Sequence, residues 1–186
     1  MTSIAKKLKG HIVDVKGELD EKSTILLLIK SLEYNDLIVD VAKQLSGKKV
    51  AYVTLNKTYS SLKELFEKNK VDLKEFIFVD AITKTIKDVP KFTDGCYYAT
   101  SPSALTEISI LIAKLFNHGF DYLIFDSLTN LLTYQNKTAV LKFFSNNIAK
   151  IKEGKKKGLF YALNTEEHEL VIQETGMFVD KVVKIE

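Results

Sequence analysis

Asp126 and Ser127 close the apolar run Tyr122-Leu-Ile-Phe and stand just before a helical pattern. A carboxylate at the carboxyl end of a buried parallel strand can hold a magnesium ion, and a neighbouring hydroxyl can join it. Lys30 and Ser31 follow another apolar run, residues 25–29. Lysine and hydroxyl are the residue types that meet a nucleotide's phosphates and their metal. Tyr34 offers a ring on which a base could stack, and Asn56-Lys57 end a third apolar run. Lys30, Ser31, Tyr34, Asn56, Lys57, Asp126 and Ser127 therefore form the candidate ligand-binding set. Asp126 is its one candidate metal ligand should magnesium be held, and no residue is assigned a catalytic role.

Each of these residues also has a plainer reading. An aspartate before a helix caps it, and Tyr34 can open a helix against the core. What the set lacks matters as much. A phosphate loop needs glycines so that successive N–H groups turn toward the anion. Residues 25–36 contain none, and Glu33 and Asp36 would sit at the following helix's positive end and repel a phosphate. A dinucleotide fingerprint is equally missing. No cofactor is expected, and ATP with magnesium stands as the exception the set could hold. Asp80, after a further apolar run, suggests a phospho-acceptor, but that site needs acids where Lys30-Ser31 stand.

The elements that must position these residues alternate between strand-length apolar runs and helix-period segments. Residues 25–29 read as a strand buried on both faces. A helix over 34–46 follows, with Leu37, Val41 and Leu45 inward and Gly47 as its stop. Residues 50–55 form the second strand, and Ser61 with Glu64 reads as a capping box for the next helix, with Leu62, Leu65 and Phe66 inward. Residues 76–79 are a strand, 81–95 are irregular, and 96–99 are a short strand. Ser101-Pro102 opens a helix marked by Leu105, Ile108, Ile112, Leu115 and Phe116, with Gly119 beyond its end. Strand 122–125, helix 137–153, strand 159–163, helix 166–174 and an edge-like strand 179–185 complete the order. Repeated strand–helix–strand units predict an α/β, three-layer, mostly parallel sheet with helices on both faces. Residues 1–22 read as a separate amphipathic segment with Ile4, Leu8, Ile12 and Val15 on one side and Lys6, Lys7, Lys9 and Lys16 on the other. They either pack on the domain formed by 23–186 or dock to a partner or membrane surface.

The chain of 186 residues suits one domain with a full core, and 46% hydrophobic content argues against disorder. All 27 basic residues are lysine, so no arginine finger and no guanidinium fork on a phosphate can come from this chain. A net charge of +3 does not by itself argue for nucleic acid. Lys150, Lys152, Lys155, Lys156 and Lys157 could contact phosphates, though a lysine-rich connection with Gly154 and Gly158 also reads as a solvated loop. Cys96 is the sole cysteine and His11, His118 and His168 lack metal-ligand spacing. No apolar run approaches a membrane span and no signal-peptide core is present, so a cytoplasmic protein is expected.

Residues 50–64, 71–80, 122–132 and 178–185, read in order, resemble the RecA superfamily and most closely its KaiC-like branch, found in archaea. The resemblance covers residues 24–185. It implies a magnesium-binding role for Asp126 and a pair of water-activating glutamates where this chain has Asn56 and Lys57. It also implies service in signalling, motility or DNA-associated assemblies, often as rings. Phosphate loop and glutamates are absent at two independent places, and losing either costs orders of magnitude in rate. The expectation is a non-catalytic RecA-like binding, adaptor or regulatory module with a protein partner or a homo-oligomer. The alternatives are nucleotide or nucleoside binding at an atypical site, with weak ATPase activity, and nucleic-acid binding through the lysine cluster.

Overall fold

The computed structural model describes residues 13–185. Its spine is an eight-stranded sheet. β1 (Thr24–Ile29) is buried at all six positions. Leu26 and Leu28 face one apolar cluster while Ile25, Leu27 and Ile29 face the other. A two-residue side-chain period feeding two cores is what places this strand inside a parallel sheet. Each such Leu or Ile contributes about 1.5–3 kcal/mol by leaving water.

The first face of the sheet carries α1 (Val15–Glu21), α2 (Tyr34–Gln44) and α3 (Tyr59–Lys68). Between them run β2 (Val50–Thr54) and β3 (Phe76–Asp80). The opposite face carries α4 (Leu105–Asn117), α5 (Leu128–Tyr134), α6 (Lys137–Glu153) and α7 (Glu169–Gly176). β4 (Phe92–Thr93) and β5 (Cys96–Tyr98) make the small antiparallel edge, β6 (Tyr122–Asp126) and β7 (Lys157–Leu163) lie centrally, and β8 (Lys181–Lys184) is the other edge. The order is β4-β5-β3-β2-β6-β7-β1-β8, with every pair parallel except β4–β5. The α/β three-layer architecture matches the sequence expectation.

Several local expectations are corrected. Ser61 does not open α3. Thr58 caps it, with its hydroxyl accepting from Ser61 N at 3.3 Å. α4 begins at Leu105 rather than after Ser101, because Ser101, Pro102 and Ser103 close a turn in which Ala104 N donates to Ser101 O. The expected 166–174 helix splits into a 3-10 turn, Glu166–His168, and α7. A short β4 pairs within the stretch read as irregular. Gly47 and Gly119 follow α2 and α4 with φ of 79° and 85°, the left-handed conformation that ends helices.

Of the N-terminal segment, residues 1–12 lie outside the described residues, and with them Ile4, Leu8 and Ile12. α1 packs on the domain through Val15 and Leu19. Glu18 of α1 holds Lys181 of β8 with both carboxylate oxygens, at 2.6 and 2.7 Å. No described helix is long and apolar enough to cross a membrane.

Candidate functional site

The strand ends carry the candidate residues, and β6 decides their geometry. Thr54 of β2 lies beside Asp126, and Phe160 of β7 lies beside Phe125. The side chains of Ile124 and Asp126 therefore share the face covered by α1–α3, between tyrosines from both neighbouring strands. Asp126 is fully buried there. Its Oδ2 accepts from the phenol of Tyr52 on β2 at 2.8 Å and from the phenol of Tyr34, the first residue of α2. Among the described residues its Oδ1 has no hydrogen-bond partner, and neither has the phenol of Tyr161 on β7.

Burial dominates the electrostatics. Desolvation pushes the Asp126 carboxyl up from 3.8 to about 6, against the opposing pull of the two phenols and of Lys57. The same burial, reinforced by the nearby carboxylate, raises Tyr34, Tyr52 and Tyr161 well above the ordinary phenol range. The three phenols are donors, not phenolates.

Asp126 does not cap the following helix. Ser127, joined to it by a cis peptide bond, caps α5 instead, with Oγ accepting from Asn130 N at 3.3 Å. A carboxylate turned into the core is out of reach of α5, so the cap falls to the next residue. Asn130 in turn donates from Nδ2 to Leu55 O at 3.3 Å and to Asn56 Oδ1 at 3.4 Å. Lys57 Nζ stands 5.8 Å from the centre of the Tyr34 ring.

Of the seven residues read from sequence, Tyr34, Asn56, Lys57 and Asp126 come together. Ser127 is adjacent but spends its hydroxyl on α5. Lys30 and Ser31 are exposed at the top of β1, in a link of one residue and a 3-10 turn, Ser31–Glu33, that runs directly into α2. Leu32, at the tip of that turn, is fully exposed. Glu33 and Asp36 occupy the first turns here, as the sequence indicated. Tyr52, Tyr161 and Asn130 were not picked out from sequence. The signal available was a tyrosine at an inward strand position, since a buried phenol requires a partner.

Asp80 is a different kind of buried carboxylate. Oδ1 accepts from Ile82 N and Thr83 N at 2.7 and 2.8 Å, and Oδ2 accepts from Tyr59 N and Thr83 Oγ1 at 2.6 and 2.5 Å. It ties the start of α3 to the turn after β3. Among the described residues no group of three or more His, Cys, Asp or Glu side chains could hold a metal ion.

Three members of the lysine cluster have internal partners. Lys152 meets Asp180 at 2.8 Å and Lys156 meets Asp121 at 2.6 Å. Lys157 donates to the carbonyls of Asp20 and Lys22 at 3.5 and 3.3 Å. Lys150 and Lys155 are exposed.

No protein-family model matches the sequence, and no curated protein matches it. Among solved structures the chain is similar to a KaiC-like protein of the hyperthermophilic archaeon Pyrococcus horikoshii, with a TM-score of 0.55 and 10% identity. The similarity covers 77% of this chain and 62% of that protein, so the chain spans less than two thirds of its length. At that identity the likeness speaks for the fold alone: this is an α/β domain with a RecA-like, KaiC-like fold.

Proposed function

We propose that the chain works without nucleotide hydrolysis, as a RecA-like binding, adaptor or regulatory module. The observation that carries this reading is the closure of Asp126. Its Oδ2 is taken by the phenols of Tyr34 and Tyr52, and the carboxylate is buried from solvent. A magnesium ion prefers near-octahedral oxygen ligands and retains several waters. A site packed with phenols and aliphatic side chains does not suit it. The link from β1 to α2 supports the same reading. One residue and a 3-10 turn offer no loop to wrap a phosphate, and Glu33 and Asp36 oppose an anion at the helix start. Asn56 and Lys57 supply no carboxylate to activate water. The partner expected is a protein or a second copy of the chain.

The test is titration calorimetry with Mg-ATP and Mg-ADP, run beside a phosphate-release assay. Absence of heat and of release supports the module. Release that disappears in Asp126→Ala overturns it.

A second reading has its own observation. Asp126 Oδ1 and Tyr161 Oη are both buried and unpartnered, and Lys57 and Asn56 flank Tyr34 above them. Movement of Tyr34 would open a small polar site suited to a nucleoside or nucleotide. A nucleotide and nucleoside panel in a thermal-shift assay tests it, because a ligand at 100 times its dissociation constant stabilises by about 2.7 kcal/mol.

A further inference from the structure

Away from the strand ends described above, α7 and β8 leave a groove of about 620 Å³ on the α4–α7 face, with Leu28 of β1 among its lining residues. Side chains alternate along β8. Val182 and Lys184 face the groove, while Lys181 and Val183 face the opposite layer, where Glu18 of α1 holds Lys181. α7 closes on β8 at its last residue, where a Cβ on Gly176 would stand 3.1 Å from Val182. From there the groove extends to Glu166 and Glu169 on the α7 side and to Lys184 on the β8 side. β8 is the edge of the sheet and the last described element. Leu170, Gln173 and Met177 recur at the spacing of one helix face. Leu170 and Met177 are 69% and 82% exposed, and Val182 across the groove is 43% exposed. A cluster of this kind beside a groove marks a docking surface rather than the scatter ordinary on a protein exterior.

We infer that a second copy of this chain docks on the groove, about a two-fold axis running along it. The charges select the occupant, because the two walls differ in sign. Glu166 and Glu169 are exposed on the α7 wall and Lys184 on the β8 wall. Lys30 is exposed two residues past Leu28, the partner of Lys184 on neighbouring β1. Among the described residues none of these four side chains takes part in an ion pair. A groove acidic on both walls would select a basic partner, and a basic one an acidic partner. One wall of each sign is complementary to the same surface turned by a two-fold, in which residue i meets j and j meets i. With the axis along the groove, the α7 wall of each copy lies against the β8 wall of the other. Glu166 and Glu169 then meet Lys184 and Lys30 of the second copy, twice per dimer, and Leu170, Met177 and Val182 fill the centre. An apolar centre inside a charged rim is the anatomy of a protein interface. The inference gives the module proposed above a partner but does not rest on the absence of hydrolysis. A monomeric chain that releases no phosphate overturns the groove and leaves the module, and a dimer that releases phosphate does the reverse.

Analytical ultracentrifugation of the full chain tests this. The parent is expected to be dimeric at about 100 µM, where a micromolar contact is saturated. Glu169→Lys and Lys184→Glu each bring like charges together twice per dimer and should raise the dimer Kd at least about tenfold. An equal mixture of the two variants should regain the parent's association, because every contact in the mixed dimer again pairs opposite charges. A contact within one chain cannot produce that recovery, which also shows that both variants are folded. Met177→Glu should abolish the dimer by placing a charge in its apolar centre. A parent that stays monomeric at about 100 µM, a dimer indifferent to Met177→Glu, charge variants that associate as the parent does, or a mixture as weak as either variant alone would each overturn the assignment.

Discussion

The phenol of Tyr34 donates to the carboxylate of Asp126 across 92 residues of sequence, joining the start of α2 to the end of β6. The bond closes the strand-end region where a parallel α/β sheet ordinarily receives its ligand. It also offsets part of the cost of burying a charge. Removing the donor with Tyr34→Phe leaves the ionised carboxylate with Tyr52 alone, and drives the Asp126 carboxyl further above 6. A hydrogen bond to a charged group contributes about 1.5–3 kcal/mol, and one to a neutral group about 1 kcal/mol. Urea unfolding should therefore show a loss of about 2 kcal/mol at pH 8 and about half that at pH 5. An equal loss at both values would mean that Asp126 keeps the same charge state from pH 5 to pH 8.

Asp126→Asn tests the same charge from the other side. The carboxyl titrates at about 6 in the fold against 3.8 for an unperturbed group. A raised folded value means the fold binds the proton more tightly than the unfolded chain. The stabilisation is complete below pH 3.8 and is lost as pH rises through 6. Two units correspond to roughly 3 kcal/mol. Asparagine has no such titration, still accepts from the phenols of Tyr34 and Tyr52, and can donate to the oxygen of Tyr161. The expected outcome is a variant at least as stable as the parent above pH 7, with Tm higher by a few degrees, and no advantage at pH 4. A residue kept to hold magnesium would instead show no stability change and a loss of nucleotide affinity.

The sheet was legible because its strands are continuous apolar runs and its helices keep a four-residue stripe. Residues 25–29, 50–54 and 122–126 could hardly serve any other element. The site was legible in part. Asn56, Lys57 and Asp126, read at strand ends, and Tyr34, read as a ring at a helix start, do meet, though their contacts are largely with one another. Tyr52 and Tyr161 fall within segments 50–55 and 159–163, read only as strands, because a tyrosine inside an apolar run carries no local mark of its partner. That partner is fixed by the register of β2, β6 and β7, which only the pairing of distant strands determines. Cap assignments failed for a related reason. Ser61 and Ser101 match the helix-start pattern, but Thr58 and the turn at Ser101–Ala104 take those roles, and local pattern does not rank neighbouring hydroxyls.

The lysine-rich connection after α6 gives a prediction of weak effect. With Lys152, Lys156 and Lys157 held by Asp180, Asp121 and two carbonyls, few free cations remain on this loop to neutralise phosphates. Affinity for nucleic acid falls with salt in proportion to the phosphates neutralised. Fluorescence anisotropy with single- and double-stranded oligonucleotides at 150 mM salt should show no saturable binding. A steep salt slope, abolished by Lys150→Glu with Lys155→Glu, would reinstate the loop as a nucleic-acid surface.

Asp80 should respond in the sense opposite to Asp126, although both are buried carboxylates at the ends of the two strands that flank β2. Asp80 accepts four hydrogen bonds, three of them from backbone N–H groups of Tyr59, Ile82 and Thr83. Its charge is met by donors on both oxygens, whereas Asp126 Oδ1 has none. Asp80→Asn must turn an NH2 toward one pair of donors, and Asp80→Ala leaves all four without an acceptor. Each unsatisfied buried donor costs about 1–3 kcal/mol. Loss of more than 3 kcal/mol is expected for Asp80→Ala, with Asp80→Asn also clearly destabilised, in urea unfolding at pH 7. The contrast with a neutral or stabilising Asp126→Asn is the discriminating result, because it separates a carboxylate that the fold needs from one that the fold merely contains. If both asparagine variants destabilise equally, Asp126 is as structural as Asp80, and the closed strand end is a packing arrangement rather than the vestige of a ligand site.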